Sequence, residues 1–115
     1  MSDFSVQALQ YAVDGLSMRQ NAEAGNIANA QTPGYQAQEV DFESSLAQAI
    51  SAGSLSGAGP SVSTSTAPGD STGNNVDLGN EMVGMQETTL RYQAMVDALN
   101  AQFRILRGSM GGSFS

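Results

Sequence analysis

The last third of the chain carries the most regular pattern of apolar positions. Apolar or small side chains recur there at alternating spacings of three and four residues, which predicts one long amphipathic helix over residues 77–110. Asp77 or Asn80 can cap its start, and Gly108, Gly111 and Gly112 favour its end. The predicted apolar seam comprises Met82, Met85, Thr89, Tyr92, Val96, Leu99, Phe103, Leu106 and Met110.

A weaker version of the same pattern covers the start of the chain and predicts a first helix over residues 1–31. Its glycines, Gly15 and Gly25, each cost about 1 kcal/mol relative to alanine inside a helix. The seam comprises Leu9, Val13, Leu16, Gln20, Glu23, Ile27 and Ala30, with Val6 extending it. Together the two seams predict an all-α chain whose long N- and C-terminal helices pack as an antiparallel coiled coil.

The residues between the helices have a different composition. Residues 32–46 read as a TPGY turn followed by an extended segment, and residues 47–76 as a flexible linker rich in Ser, Gly and Thr. The predicted helices are therefore joined by an extended, Gly/Ser-rich middle segment. Residues 111–115 form a short tail after the second helix.

The TPGY stretch predicts that the first helix stops at a fixed point. Pro33 lacks the N–H of a continuing helix, and Pro-Gly suits the centre of a type II turn with Gly34 at positive φ. The side-chain amides of the last helical turn can donate to carbonyl groups left unpaired at the helix end, or to a neighbouring chain. The candidate joint comprises Asn26, Asn29, Thr32, Pro33, Gly34 and Tyr35.

Composition excludes several kinds of chemistry. The 115 residues include no Cys and no His, and the formal charge is −7 with only four cations, all of them Arg. Thiolate, imidazole and disulfide chemistry are therefore absent, and nucleic acid or direct membrane insertion is disfavoured. We expect no catalytic residue, cofactor or metal, and the N-terminal residues lack the pattern of a cleavable signal peptide.

The two helices have few large apolar side chains, so packing them on each other buries little surface. Small chains of this kind usually need partners, which indicates assembly rather than catalysis. Side chains off the seams are expected to contact adjacent subunits: Ala8, Tyr11, Ala12, Met95, Ala98 and Ile105. Glu23 and Arg91 fall at similar heights in an antiparallel pair. They form either an ion pair across the seam or two unrelated surface charges.

Two separated motifs resemble bacterial flagellar rod and hook proteins. The first is NIANAQTPGY followed by QEVDFESSL, and the second is GNNVDLGNEMVGMQETTLRYQAMVDALNAQFRILRGSM. The DFESSL and RYQAMVDALNAQF stretches are similar to subunits of the proximal rod. Gln31 departs from this family, which commonly has Asp in the corresponding Asn-Ala-Asp-Thr-Pro-Gly-Tyr string.

The resemblance implies a structural subunit of the periplasmic rod of the flagellar basal body, which assembles helically, transmits torque and lines the export channel. It implies as partners other copies of the chain, rod proteins such as FlgC, the junction protein FliE, the MS-ring protein FliF and the flagellar type III export apparatus. It also implies that Phe42 and Leu46 dock on the export gate, although both could instead pack inside the folded subunit. The alternative function is a small secreted helical-hairpin adaptor or binding protein that acts as a discrete dimer.

Overall fold

The computed structural model describes residues 3–110 of the chain. The predicted tail 111–115, with Gly111 and Gly112, lies outside the described residues, as does the side chain of Met110. In chain order the elements are helix α1 (Asp3–Ala28), strand β1 (Gln38–Asp41), helix α2 (Glu43–Ala52), strand β2 (Ser61–Thr64) and helix α3 (Leu78–Met110).

The two long helices, α1 and α3, run antiparallel along most of their length. Gln20 of α1 donates from Nε2 to Oγ1 of Thr89 at 3.0 Å. Further along α1, Asn26 donates to Glu81, which lies earlier in α3. The subunit is accordingly long and thin, with extents of 66 × 27 × 14 Å. The prediction of long N- and C-terminal helices is confirmed.

The start of α3 is capped as the sequence predicts. Asp77 Oδ1 accepts a hydrogen bond from the backbone N of Asn80 at 3.1 Å, and the carbonyl of Asp77 accepts from the N of Glu81 at 2.9 Å. The first contact satisfies an amide group that has no partner inside the helix, and the second is the first regular bond of the helix. Helix α3 continues through Gly108 to Met110.

A two-stranded antiparallel sheet corrects the prediction that the chain is entirely α-helical. Strand β1 pairs with β2 so that Val40 lies opposite Val62. Val40 is buried and Val62 is half exposed. Each strand has four residues with a single apolar side chain, so neither shows the alternation by which a strand is recognised in sequence.

Helix α2 occupies ten residues that were expected to be extended or flexible. It buries Ala49 and ends at Gly53, whose φ of 71° is the left-handed conformation that closes many helices. The N–H groups of Gly53 and Ser54 donate to the carbonyls of Ile50 and Ala49. The middle segment therefore contains a helix and a strand before it returns to α3.

The core lies where α1, α3 and the residue between β1 and α2 meet. Phe42 enters a notch in α1 at Gly15, where an added Cβ would lie 2.8 Å from the Cβ of Phe42 and closer still to its ring. The buried members are Ala12, Leu16 and Phe42, and the partly buried residues packed on them are Tyr11, Leu46, Tyr92 and Met95. Glycine at position 15 is therefore required by packing.

Candidate functional site

The joint begins where α1 ends at Ala28. Asn29 donates from both its backbone N and its side-chain Nδ2 to the carbonyl of Gly25, at 3.1 and 2.9 Å. The backbone N of Tyr35 then bonds to the carbonyl of Thr32 at 3.1 Å, and Gly34 has a φ of 76°. That bond and that φ are the features of the predicted type II turn around Pro33.

Asn26 is the most buried polar residue in the described part of the chain, with only 1% of its surface exposed. Its Nδ2 donates to the carbonyl of Gln38 at 2.9 Å and to Oε1 of Glu81 at 2.5 Å. Its Oδ1 accepts from the backbone N of Gln38 at 2.9 Å and, more weakly, from the hydroxyl of Tyr35 at 3.4 Å. One side chain thus joins α1, β1 and α3.

Asn74 supplies a second set of amide contacts that the sequence analysis missed. It is 4% exposed, and its Nδ2 donates to the carbonyls of Asn29 and Thr32 at 2.9 and 2.8 Å. The residue after it, Asn75, accepts at Oδ1 from the backbone N of Ala37 at 2.6 Å. The only available signal was the Asn-Asn pair just before α3, and pairs of this kind are common in loops.

Arg19 ties α1 to the start of α2. Its guanidinium donates to both carboxylate oxygens of Glu43, at 2.6 and 2.5 Å, and to the carbonyl of Val40 at 2.7 Å. It also lies 4.9 Å from the centre of the Phe42 ring, over which it forms a cation–π contact. The hydrogen bonds from Arg19 hold the pKa of Glu43 at about 2.

We expect the Arg19–Glu43 pair to make stability depend on pH in acid. The pKa of Glu43 is lower in the folded than in the unfolded chain, so its contribution is present above pH 4.5 and is lost as pH falls towards 2. Because the Glu43 side chain is 48% exposed, solvent screens the pair, and Glu43→Gln should remove about 1 kcal/mol at neutral pH.

Denaturant melts of Glu43→Gln and the unsubstituted chain between pH 2 and 7 measure this effect. The two free energies of unfolding should converge at low pH. Glu39→Gln, which changes an exposed glutamate on β1, is the matched control. A constant difference between Glu43→Gln and the unsubstituted chain across the pH range would contradict the assignment.

Among the described residues Glu23 and Arg91 form no ion pair with each other, and Glu23 is partly buried, so neither of the two alternatives stated for the pair is found. Arg91 contacts Glu87 at 2.9 Å and Glu43 at 3.9 Å. Burial raises the pKa of Glu23, and a hydrogen bond with Thr88 partly opposes that shift. Oε1 of Glu23 is buried with no hydrogen-bond partner among the described residues.

The predicted seam residues are not equally buried. Leu16 is buried, Tyr92 packs on the core, and Met82 and Phe103 are 52% and 36% exposed. The intermediate members are Leu9, Val13, Ile27, Met85, Val96, Leu99 and Leu106. Part of the seam on α3 therefore faces solvent in the single subunit.

Three residues expected to contact neighbouring subunits lie inside this one. Ala12 is in the core, and Tyr11 and Met95 pack against it. They are covered because Phe42 occupies a second face of α1, next to the face that meets α3. Ile105 is 53% exposed and remains available for such a contact.

An open apolar groove of about 690 Å³ runs along the first half of α3, next to the end of α1. Its lining includes Ile27, Met82, Met85 and Leu90. Leu90 is 68% exposed, and neighbouring Val83 is 64% exposed. Exposed apolar side chains at this density mark a surface that another protein can cover.

The pair proposed for export docking lies in the folded core. Phe42 is 4% exposed and meets Tyr11 edge-on at 6.4 Å between ring centroids. Leu46 packs on the same cluster. A gate could reach both side chains only in a chain that has not folded around them.

Neither a membrane span nor a metal site is found within residues 3–110. None of the helices there combines the length and the apolar character needed to cross a bilayer. The same residues contain no group of three or more acidic side chains arranged to hold a metal ion.

Comparison with known proteins finds similar chains of nearly the same length, although no family model matches. The flagellar basal body rod protein FlgB of Bacillus subtilis (strain 168) is 34% identical over 128 aligned positions, which cover 97% of this chain and 98% of that protein. The protein of the same name from Yersinia enterocolitica is 31% identical over 89% of this chain and 90% of its own length. That of Escherichia coli (strain K12) is 29% identical, with 89% of each chain covered.

Proposed function

The chain belongs to the FlgB family of flagellar basal body rod proteins, and from this premise we propose that it is a structural subunit of the proximal rod. The observation that carries the proposal is the apolar surface that α3 leaves uncovered. Met82, Val83 and Leu90 are each more than half exposed. A subunit that stays single would keep these side chains in water, whereas packing with neighbours removes them from it.

Helical assembly follows from a contact that joins different surfaces of successive subunits. Such a contact does not close into a dimer and builds a shaft when it is repeated with a rotation and a rise. The two long helices supply the length of the contact. The alternative of a discrete dimeric adaptor is not favoured by the family to which the chain belongs.

We propose that the joint directs the chain out of the helical pair at one fixed point. Thr32, Pro33 and Gly34 form an exposed turn, while Asn26 fixes the following strand against both helices. Residues 36–76 then extend to the side of the antiparallel pair of α1 and α3, here called the helical hairpin, where neighbouring subunits can contact them. In this role the protein needs rigid packing and no reactive group, and we propose that it is not an enzyme.

The proposed partners are those of a periplasmic rod segment: other copies of the chain, FlgC, FliE and FliF. Export through the flagellar type III apparatus, without a cleaved signal peptide, would bring it there. Phe42 and Leu46 would act in docking on the export gate before folding, since both pack in the core afterwards. Torque would pass through the shaft by helix packing, and the helices would line the export channel.

Incorporation into basal bodies tests the proposed function. Cells that lack this chain should build no rod beyond the membrane ring and should not swim, and the restored chain should copurify with the shaft. Leu90→Glu should lower the number of incorporated copies about tenfold or more, because assembly would bury an unpaired charge. Since Leu90 is 68% exposed in the single subunit, folding should change little.

Asn100→Glu is the matched control, because it adds the same charge at an exposed position on α3. Its incorporation should stay close to that of the unsubstituted chain. Complete rods in cells without the chain would end the proposal. Equal incorporation of Leu90→Glu and Asn100→Glu would remove the groove as an assembly surface.

A further inference from the structure

Carbonyl groups in the turn after α1 gain a second donor from a distant part of the chain. The backbone N of Thr32 already donates to the carbonyl of Asn29 at 3.0 Å, and that of Tyr35 to the carbonyl of Thr32 at 3.1 Å. At the end of α1 and in the following turn, Nδ2 of Asn74 donates to the carbonyls of Asn29 and Thr32, at 2.9 and 2.8 Å. Asn74 is 4% exposed, so water cannot easily replace it as donor.

Asn75 makes the equivalent contacts to the two strands. Its Oδ1 accepts from the backbone N of Ala37 at 2.6 Å, just before β1. Its Nδ2 donates to the carbonyl of Ser65 at 3.1 Å, just after β2. Its backbone N donates to the carbonyl of Tyr35 at 3.2 Å. Together with a direct bond from the backbone N of Ser65 to the carbonyl of Ala37 at 2.7 Å, Asn75 fixes the end of the sheet next to the TPGY turn.

A local turn presents both asparagines in the required orientation. Oδ1 of Asp70 accepts from the backbone N of Thr72 at 2.8 Å and of Asn74 at 3.2 Å. Gly73 has a φ of 85°, and a Cβ added to it would lie 3.5 Å from the Cα of Gly34. The backbone N of Gly34 also donates to the carbonyl of Thr72 at 2.9 Å. Two turns that are far apart in the sequence, one after α1 and one before α3, thus pack directly on each other.

We propose that Asn74 and Asn75, here called the amide clasp, are positioning residues that fix the direction in which residues 36–76 leave the helical hairpin. The clasp donates from the segment before α3 to carbonyls of the segment after α1, so it closes only when the end of α1 and the start of α3 have met. The importance of the clasp for the rod rests on the proposed function, whereas its effect on the geometry of the single chain is independent of that function.

The helical hairpin has its own contacts, independent of the clasp. Gln20 and Thr89 meet at 3.0 Å across the helices, and the core around Leu16 lies far along α1 from the turn. Loss of the clasp should therefore loosen the end of the sheet at Ala37 and Ser65 while α1 and α3 stay packed. A residue that acted only through overall stability would loosen the sheet and the helix pair together.

Two pairs of introduced cysteines separate these possibilities, because the chain has none of its own. Gln20→Cys with Thr89→Cys reports on the hairpin. Gln38→Cys with Thr64→Cys, which lie directly opposite each other on β1 and β2, reports on the sheet beside the clasp. The rate of disulfide formation in the purified full-length chain measures how often each pair is in contact.

The clasp variant is Asn74→Asp combined with Asn75→Asp, which keeps side-chain size and removes the donated hydrogen bonds. It should slow disulfide formation at least about fivefold in the sheet pair and less than about twofold in the hairpin pair. Asn100→Asp, an exposed position on α3, is the matched control and should change neither. In cells, the clasp variant should enter basal bodies in fewer copies than the control.

Three outcomes would overturn the clasp. The sheet pair could react at an unchanged rate in the variant, or both pairs could slow together. Neither pair might form a disulfide in the otherwise unsubstituted chain, which would show that the chain does not build the joint by its own contacts. All three differ from a failure of the proposed function, in which the unsubstituted chain is absent from basal bodies whatever the disulfide rates.

Discussion

Gly15→Ala is expected to destabilise the subunit by about 2 kcal/mol, although alanine normally stabilises the interior of a helix. The added methyl group would lie 2.8 Å from Cβ of Phe42 and would overlap its ring. The close atoms are the Cβ of Phe42 and the ring atoms attached to it, which cannot move aside as the far end of a flexible side chain can. Phe42 would have to leave the core, and its contacts with Arg19 and Tyr11 would be lost.

Urea denaturation followed by helix circular dichroism measures this change. Gly25→Ala is the matched control, because the nearest atom to its Cβ would be the hydroxyl of Tyr35 at an ordinary 3.7 Å. It should stabilise the chain by up to about 1 kcal/mol. A stabilising effect of Gly15→Ala as large as that of Gly25→Ala would contradict the packing assigned to Phe42.

Combining Gly15→Ala with Phe42→Ala identifies the cause. Phe42→Ala alone should cost about 3 to 5 kcal/mol, because it empties the centre of the core. In that background, Gly15→Ala should cost nothing or stabilise, because the clash has been removed. An unchanged cost in both backgrounds would place the strain elsewhere.

The same variants distinguish export docking from folding. Gly15→Ala disturbs the core but leaves Phe42 and Leu46 in the chain, whereas Phe42→Ala removes half of the proposed docking pair. If the pair docks on the export gate, exported amounts should fall for Phe42→Ala and stay unchanged for Gly15→Ala. Equal export of both variants would remove the docking proposal and leave Phe42 with its packing role.

Asn26→Ala should cost about 3 kcal/mol or more, which is a large part of the stability of a domain of this size. The truncation leaves the backbone N and O of Gln38 without the partners they have in the folded chain, and Glu81 loses its donor. Each unsatisfied buried group costs about 1 to 3 kcal/mol. Amide hydrogen exchange at Gln38 should accelerate with the loss.

Asn29→Ala is the matched control for Asn26→Ala. Asn29 lies three residues further along, and its Nδ2 bonds only to the carbonyl of Gly25 in the same helix end. Its loss should cost about 1 kcal/mol. Equal effects of the two substitutions would show that Asn26 does not join the three elements in solution.

The sequence could predict the features that depend on local chemistry. The spacing of apolar residues predicted both long helices, Asp77 predicted the start of α3, and Pro33 with Gly34 predicted the turn. Each of these signals lies within a few residues of the structure that it specifies.

The missed features depend on residues that are far apart in sequence. Nothing near Asn74 indicates that its amide serves the end of α1, and nothing near Gly15 indicates that Phe42 fills the space above it. Tyr11, Ala12 and Met95 were assigned to contacts between subunits because α1 and α3 were each given one buried face. The segment from β1 to α2 covers a second face, and a four-residue strand with one valine gives no pattern that would predict it.

The thinness of the subunit has a mechanical consequence. A strip of protein only 14 Å across its narrowest dimension bends easily in that direction, because the stiffness of a beam rises steeply with its thickness. A single copy therefore resists bending poorly. In a shaft made from such subunits, resistance to bending or twisting has to arise at the interfaces between neighbouring subunits.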